Sequence, residues 1–207
     1  VSRFAKSRKL IVGMPVSGRN HYQLEQVVGM FVNMLPVKCD VEATDTFEAF
    51  LTKVKQTIAI GLSHQNYQFE DLLDDLNVPR DTSRNPLFDV SLNVLKSSAS
   101  WEMYQQEAAG KGIVETVGVS KFDLTLNVVE FDSGCACEIE FAKELFEKAS
   151  VEKFKTAFLK LLATVLEDST HTLGEIDLLS DKEHQLVRQD FNSYQLSYEQ
   201  EPVTTHL

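Results

Sequence analysis

The stretch from Phe122 to Phe141 reads FDLTLNVVEFDSGCACEIEF. Apolar and polar residues alternate strictly from Phe122 to Val128, and they alternate again from Cys137 to Phe141. A two-residue period is typical of half-buried β-strands, and the turn residues Asp132-Ser133-Gly134 between the two runs predict an antiparallel hairpin. The segment from Phe88 to Val94 alternates in the same way and predicts a further strand.

On either side of these strands the apolar residues recur at three- and four-residue steps, which predicts amphipathic helices. Short apolar runs from Leu10 to Met14 and from Val27 to Leu35 predict a strand and a second strand or buried segment. Strands and helices interleave without a regular βαβ rhythm, so we expect an α/β (α+β) sandwich with a mixed, largely antiparallel sheet packed by helices. The expected helices are 45–63, 69–76, 151–166 and 180–190.

Capping residues mark where three of these helices should begin. Asp45 and Glu48 have the spacing of a capping box, as do Ser180 and Glu183. Ser150 precedes the longest apolar stripe and is the expected N-cap of that helix.

Composition restricts the kinds of partner. The 207 residues include 31 acidic and 20 basic side chains, for a net charge of −11, and such a chain is repelled by phosphate backbones and anionic lipid. No apolar run approaches the roughly 18 residues that a membrane-spanning helix needs. We therefore expect neither nucleic acid nor membrane as a partner.

The three cysteines are too few for a disulfide scaffold, and no signal peptide is visible, so a cytoplasmic location is expected. Cys135 and Cys137 would share one face of a strand, and we expect them to be buried there as apolar residues. The five histidines are scattered singly, and no metal site is expected. The sequence also has no P-loop, dinucleotide fingerprint, zinc motif or nucleophile elbow.

Three segments are not explained by core packing alone. Val28 to Leu35 reads VGMFVNML, His64 to Glu70 reads HQNYQFE, and Arg80 to Phe88 reads RDTSRNPLF. Here the sequence resembles the condensation domains of nonribosomal peptide synthetases, whose motifs read (I/V)GxFVNTL, HQDYPFE and RDxSRNPLF in this order. GMPVSGR at 13–19, SKFDLTL at 120–126 and LLSDKE at 178–183 extend the resemblance over nearly the whole chain.

The sequence also departs from the family pattern. Met34 stands where threonine is usual, and Asn66 and Gln68 replace aspartate and proline. The catalytic signature HHxxxDG of the family does not occur in these residues. The resemblance therefore implies a chloramphenicol acetyltransferase-like half-domain: residues 1–179 as the C-terminal subdomain of a condensation domain, incomplete at its N-terminus, and 180–207 as a linker toward an adenylation domain.

In this family an aminoacyl amine attacks a peptidyl or aminoacyl thioester in a tunnel between two halves. The resemblance implies that this chain forms one wall of that tunnel and, without the histidine motif, is inactive alone. Implied partners are the N-terminal half, upstream and downstream carrier proteins, and the adenylation domain. The 4′-phosphopantetheine groups belong to the carrier proteins, and no cofactor is expected on this chain. An isolated half leaves a face uncovered, which dimerisation would cover.

The resemblance also assigns residues. Gly29, Phe31 and Asn33 are expected to face the tunnel, since a glycine allows close backbone approach and an asparagine amide can donate to a carbonyl group. The remaining motif residues are expected to be structural, none of them catalytic: Gly18, Arg19, His64, Gln65, Phe69, Arg80, Asp81, Arg84, Asn85 and Asp123. The stretch 96–118, which contains Trp101, is expected to include part of a segment that crosses to the other half.

Two alternatives stay open. Epimerization domains share the fold, although the segments at 16–19, 29–33 and 92–95 match their motifs less well. A non-catalytic platform that docks carrier proteins is the other alternative, and the acidic charge argues mildly against it because carrier proteins are usually acidic.

Overall fold

A computed structural model of the chain describes residues 1–19, 21–79, 81, 84–98, 100–104 and 119–190. Its strands are β1 (Lys9–Val16), β2 (Asn33–Asp40), β3 (Val90–Lys96), β4 (Leu124–Glu130) and β5 (Cys135–Phe141). Its main helices are α1 (Ser2–Ala5), α2 (Phe47–Ser63), α3 (Phe69–Asp75), α4 (Lys148–Glu167) and α5 (Asp181–Gln185). A 3-10 turn spans Tyr22–Leu24, and a π-helical turn spans Leu186–Asp190.

The five strands form one mixed sheet in the order β2-β1-β3-β4-β5. The outer pairs, β1 with β2 and β4 with β5, are antiparallel, whereas β3 runs parallel to both β1 and β4. The β1–β3 pairing is only two residues long, at Val12–Val90 and Gly13–Ser91. The expected α/β sandwich with a mixed sheet and a β4–β5 hairpin is confirmed.

The predicted strands are present but displaced along the chain. β3 and β4 each begin two residues after the predicted start, because Phe88 and Phe122 lie before the strands and pack their rings together at 5.5 Å. Val27 to Leu35 is not one strand, since β2 begins only at Asn33. The residues before Asn33 belong to the long β1–β2 loop.

Two of the predicted N-caps are wrong, because other residues cap those helices. Thr46 is the N-cap of α2, with its hydroxyl accepting from the Ala49 N–H, while the Asp45 carboxylate pairs with Lys53 at 2.6 Å. Helix α4 begins at Lys148, so Ser150 lies inside it. The Ser180–Glu183 capping box is confirmed, with both of its hydrogen bonds in place.

The prediction that Cys135 and Cys137 are buried is wrong. Both thiols are exposed, because β5 is an edge strand and this part of its surface is left open to solvent. Cys39 on β2 is half-buried.

The start of the 96–118 stretch packs on the turn between β4 and β5 of this chain. Trp101 packs on Phe131 at 5.4 Å and on Tyr104 at 5.5 Å, and its backbone N–H donates to the Asp132 carboxylate. Residues 105–118, and the linker residues 191–207, lie outside the described residues. None of the helices in the described ranges is both long enough and apolar enough to cross a membrane.

Candidate functional site

The loop between β1 and β2 is organised by one arginine. The Arg19 guanidinium donates to the backbone carbonyls of Leu24, Val27 (2.8 Å) and Gly29 (3.3 Å). It also lies over the Phe31 ring, 4.4 Å from the ring centroid. A guanidinium has five donors in a fixed plane, so it can fix several turns of a loop at once.

Gly18 is required at the first turn of this loop. Its φ is +63°, a left-handed conformation that favours glycine, and a Cβ here would lie 1.9 Å from the Phe31 carbonyl oxygen. The Gly18-Arg19 pair therefore sets the path of the chain up to Phe31.

Asn33 joins this loop to the segment that follows α2. Its amide nitrogen donates to the carbonyls of Gln65 (2.9 Å) and Tyr67 (2.7 Å), and its side-chain oxygen accepts from the N–H groups of Met34 and Phe69. The side chain is buried at 8% exposure. Both amide hydrogens are thus donated to the chain itself, so in this structure neither is left to donate to a substrate carbonyl.

A pocket of about 160 Å³ lies where these segments meet. Phe31 and Asn33 line it, as do the glutamine and asparagine residues of the 64–69 segment, whereas Gly29 is not among its lining residues. None of its eight lining residues carries a charge, which makes it a neutral, amide-rich cleft. The eight are Gly18, Met30, Phe31, Val32, Asn33, Gln65, Asn66 and Gln68.

The outward side of residues 27–33 is apolar. Val28 is fully exposed, Met30 is 91% exposed and Val32 is 60% exposed. Phe31 and Asn33, in contrast, turn toward Arg19 and the 65–69 backbone. Val28, Met30 and Val32 were not among the residues predicted from the sequence, because the exposed faces of a continuous apolar run cannot be read from its composition.

The other motifs meet at a second point, around Phe88. Its buried ring lies 5.6 Å from the Phe69 ring and 5.5 Å from the Phe122 ring, and it fills the space beside Gly13, where a Cβ would lie 2.0 Å from a ring carbon. One chain of aromatic contacts thus links three of the motif segments.

Polar contacts hold the same motifs in register. Arg84 pairs with Asp89 at 2.6 Å, and the Asn85 amide donates to the Lys121 carbonyl at 3.2 Å. Burial and the neighbouring Asp89 carboxylate raise the pKa of Asp123, against the opposing charge of Arg84. These contacts tie the 84–89 segment to the start of β4.

The remaining predicted residues lie at turns. His64 is the exposed C-cap residue of α2, and its carbonyl accepts from the Tyr67 N–H at 2.9 Å. The Asp81 carbonyl accepts from the Arg84 N–H, while Arg80 lies outside the described residues. In the described part of the chain, no three His, Cys, Asp or Glu residues are grouped so that they could hold a metal ion.

Comparison with known families matches residues 1–187 to the condensation domain. Gramicidin S synthase 2 of Aneurinibacillus migulanus is 32% identical over 208 residues, and tyrocidine synthase 3 of Brevibacillus parabrevis is 35% identical over 199 residues. The two alignments cover 100% and 96% of this chain, but only 5% and 3% of those proteins. The chain thus spans less than a tenth of the length of these relatives.

Solved structures show the same fold. A holo four-domain nonribosomal peptide synthetase bound to AMP and glycine aligns with a TM-score of 0.76 and 19% identity, over 88% of this chain and 15% of that one. The X-domain from teicoplanin biosynthesis aligns with a TM-score of 0.72 and 21% identity, over 86% of this chain and 41% of that one. The starter condensation domain of rhizomide synthetase aligns with a TM-score of 0.64 and 18% identity, over 86% and 41%.

Proposed function

The chain belongs to the condensation domain family of nonribosomal peptide synthetases, and we propose that it forms one wall of the tunnel in which such a domain makes a peptide bond. Residues 1–179 act as the C-terminal subdomain, and residues 180–207 act as the linker toward an adenylation domain. The partners are the N-terminal half of the domain and the two carrier proteins whose phosphopantetheine arms bring the thioesters.

One observation carries this proposal: the clamped loop next to the neutral pocket. Arg19 and Asn33 hold residues 27–33 so that Met30 and Val32 border a cleft lined by four side-chain amides. A phosphopantetheine arm alternates methylene groups with amide groups. A wall that combines apolar and amide side chains without a charge matches that chemistry.

The reaction requires an unprotonated amine. Its nitrogen attacks the thioester carbonyl carbon, the C–N bond forms, the C–S bond breaks, and the donor arm leaves as a thiolate that takes up the proton lost by the nitrogen. A wall without a carboxylate does not stabilise an ammonium ion, and apolar side chains that exclude water suppress hydrolysis of the thioester. The residue that handles the proton belongs to the HHxxxDG motif, which these 207 residues do not contain.

Within this proposal Asn33 is a positioning residue. Its amide acts on the tunnel through the backbone of Gln65 and Tyr67, and not by direct donation to substrate. Phe31 lines the pocket, and Arg19 lies over its ring. Gly29 takes part through its carbonyl group, which Arg19 fixes.

Reconstitution tests the proposal. The chain is mixed with the separately expressed N-terminal half from the same parent, and dipeptide formation is followed from two loaded carrier proteins. We expect product only in the mixture, and none when the second histidine of HHxxxDG in the added half is replaced by alanine. Tight association of the halves without any dipeptide would overturn the proposal in favour of a docking platform.

A further inference from the structure

Two thiols lie side by side on the edge strand β5. Cys135 and Cys137 are two residues apart in the strand, so their side chains belong to the same face of the sheet. In the pairing with β4 they stand opposite Glu130 and Val128, which share that face. Both thiols are exposed, so the pair is open to a ligand from solvent.

The backbone beneath the two thiols is fixed. Strand β5 pairs with β4 along its whole length, from Cys135 to Phe141. The turn before it is closed by the Phe131 N–H, which donates to the Gly134 carbonyl at 2.9 Å, and the Trp101 ring packs on Phe131. The spacing of the two thiols is therefore set by strand geometry before any ligand binds.

This spacing disfavours a disulfide between Cys135 and Cys137. Same-face positions of a strand lie about 6.6 Å apart, and parallel side chains keep their Cβ atoms at a similar separation. A disulfide needs Cβ atoms roughly 3.5–4.5 Å apart, so the strand would have to bend before the bond could form. The paired strand thus keeps the two sulfur atoms available as thiols.

An ion between the two sulfur atoms fits the same spacing. Metal–thiolate bonds in zinc sites are about 2.3 Å long, and two such bonds in line separate the sulfur atoms by about 4.6 Å. Each Sγ atom has to lean inward by only about 1 Å to reach this separation. Burial raises the pKa of the Cys137 thiol, and the charge and hydrogen bond of Cys135 raise it further, so the two groups interact. A cation between two thiolates removes their mutual repulsion.

The surroundings of the two thiols select the kind of ion. The hairpin from Leu124 to Phe141 contains four carboxylates and neither lysine nor arginine, so it attracts cations. Structural zinc takes four ligands, yet among the residues that the structure describes no three His, Cys, Asp or Glu side chains are grouped to hold a metal. Thiolate ligands select soft ions such as Cu(I). Two thiolates without a third ligand therefore suit a soft ion that binds only two ligands.

We propose that Cys135 and Cys137 together bind a soft, two-coordinate metal ion of the Cu(I) class. Each thiol releases its proton to solvent, both sulfur atoms bond to the ion, and no electron is transferred. Strand β5 is one edge of the sheet, whereas the pocket lined by Asn33 lies at the start of β2, the opposite edge. The inference therefore goes beyond the proposed function and does not rest on it.

The test is the transfer of Cu(I) from its complex with bicinchoninate to the 207-residue chain without oxygen, followed by the loss of absorbance of that complex. We expect one Cu(I) per monomeric chain. Cys135→Ser and Cys137→Ser should each weaken binding about a hundred-fold or more, because the second bond to the ion is intramolecular and is lost with either thiol. Cys39→Ser, on the other edge strand, should bind Cu(I) as the unsubstituted chain does.

A rearranged variant separates geometry from the number of thiols. Cys137→Ser combined with Glu138→Cys keeps three thiols in the chain but moves one of them to the opposite face of β5, at a position that is also exposed. We expect it to bind Cu(I) as weakly as Cys137→Ser alone, with an unchanged melting temperature. Binding by this variant equal to that of the unsubstituted chain would overturn the proposal.

X-ray absorption of the loaded, unsubstituted chain gives a readout that needs no variant. We expect two sulfur neighbours around the metal ion and no others. A third sulfur neighbour, a metal ion shared between two chains, or no transfer of Cu(I) from bicinchoninate would each overturn the proposal. Dipeptide synthesis is not measured here, so failure of the catalytic proposal gives a different result.

Discussion

At the scale of single residues, the clamped loop is built from side chains that bond to backbone. Arg19 and Asn33 together fix five carbonyl groups, and each does so across at least five residues of sequence. Loop backbone that is not paired in a sheet needs such partners. The motifs GxPxxGR and GxFVN thus each have a physical role in this chain. Arg19 of the first holds the β1–β2 loop, and Asn33 of the second joins that loop to the backbone of Gln65 and Tyr67.

Asn33→Ala tests how much these hydrogen bonds of the Asn33 side chain contribute to stability. The substitution leaves two carbonyls and two N–H groups without their partner, so we expect a loss of about 2–4 kcal/mol in the free energy of unfolding. Urea unfolding measures it. Asn85→Ala, which removes a single bond at a more exposed site, is the control and should lose no more than about 1 kcal/mol. Equal losses for the two variants would contradict the assignment.

Gly18→Ala tests the turn. Alanine in a left-handed conformation costs about 1–2 kcal/mol, and its Cβ would also displace the Phe31 carbonyl oxygen. We therefore expect a loss above that range in urea unfolding. At Gly29 a new Cβ would meet only the edge of the Phe31 ring at 3.2 Å, so Gly29→Ala should stay within about 1 kcal/mol of the unsubstituted chain. A Gly29 variant as unstable as the Gly18 variant would refute this explanation of the turn.

Some of these residues could be predicted from sequence motifs, whereas the pattern of apolar residues did not identify the others. The motifs selected Arg19 as structural and Asn33 as tunnel-facing, and in the structure both side chains bond to backbone of the motif segments. The exposed set of Val28, Met30 and Val32 was missed. A continuous apolar run looks the same whether it is a strand, a buried segment or a loop held by a nearby arginine, so only the three-dimensional contacts assign its faces.

At the scale of elements, the spacing of the apolar residues identified the type of each element. Competition between neighbouring side chains then set the residue at which the element begins. The α2 start illustrates this: Asp45 and Glu48 have capping-box spacing, but Thr46 caps the helix and Asp45 pairs with Lys53. The error at Cys135 and Cys137 has a different origin. Alternation shows which residues share a face, but whether another layer covers that face depends on the sheet order, which places β5 at an edge.

Helix α5 is anchored to α4 by one carboxylate. Asp177 accepts from His184 at 2.6 Å, from the Leu179 N–H and from Lys160 at 3.1 Å, and these hydrogen bonds, the one from His184 foremost, hold the pKa of Asp177 well below its usual range. A lowered carboxyl pKa stabilises the folded chain above the unfolded pKa of about 3.9, and that stability is lost as the pH falls through the folded value.

Asp177→Asn should therefore lower the melting temperature at pH 7, and the difference from the unsubstituted chain should shrink below about pH 4. At pH 7 trypsin should also cut faster after Lys182, because α5 loses its tether. Glu152→Gln, which affects an exposed ion pair with Lys155 on the same helix, is the control. A melting difference that is independent of pH would argue against the anchor.

The edge position of β5 predicts the reactivity of the thiols. Cys135 and Cys137 are exposed, whereas Cys39 is half-buried. Burial raises the pKa of both Cys39 and Cys137, so exposure and not the pKa separates the three thiols. With 5,5′-dithiobis(2-nitrobenzoic acid) on the folded chain, we expect two thiols to react rapidly and one slowly. Cys39→Ser should remove the slow phase alone. Three thiols reacting at one rapid rate would contradict the partial burial of Cys39, and three reacting at one slow rate would contradict the exposure of Cys135 and Cys137.

At the scale of the whole molecule, the described residues include two exposed apolar surfaces that differ in shape and surroundings. A groove of about 520 Å³ beside α1 is lined mainly by aromatic and aliphatic side chains, among them Phe4, Phe47 and Phe154. The exposed side of residues 27–33 is a narrow apolar edge beside a polar pocket, which suits a surface that is covered only in part and only when the domain is assembled. Separating their roles requires substitutions that leave the fold intact.

Met30→Ser and Val32→Ser provide that separation. Both side chains are exposed, so each substitution should change the free energy of unfolding by no more than about 0.5 kcal/mol. In the reconstituted condensation reaction, we expect each to lower the rate of dipeptide formation roughly ten-fold, which corresponds to about 1.4 kcal/mol of lost transition-state stabilisation. Val94→Ser, on an exposed position of β3 away from the pocket, is the matched control. If the two loop variants are as active as this control, the tunnel wall lies elsewhere on the molecule, because a stable fold with an altered wall would then make no difference to the reaction.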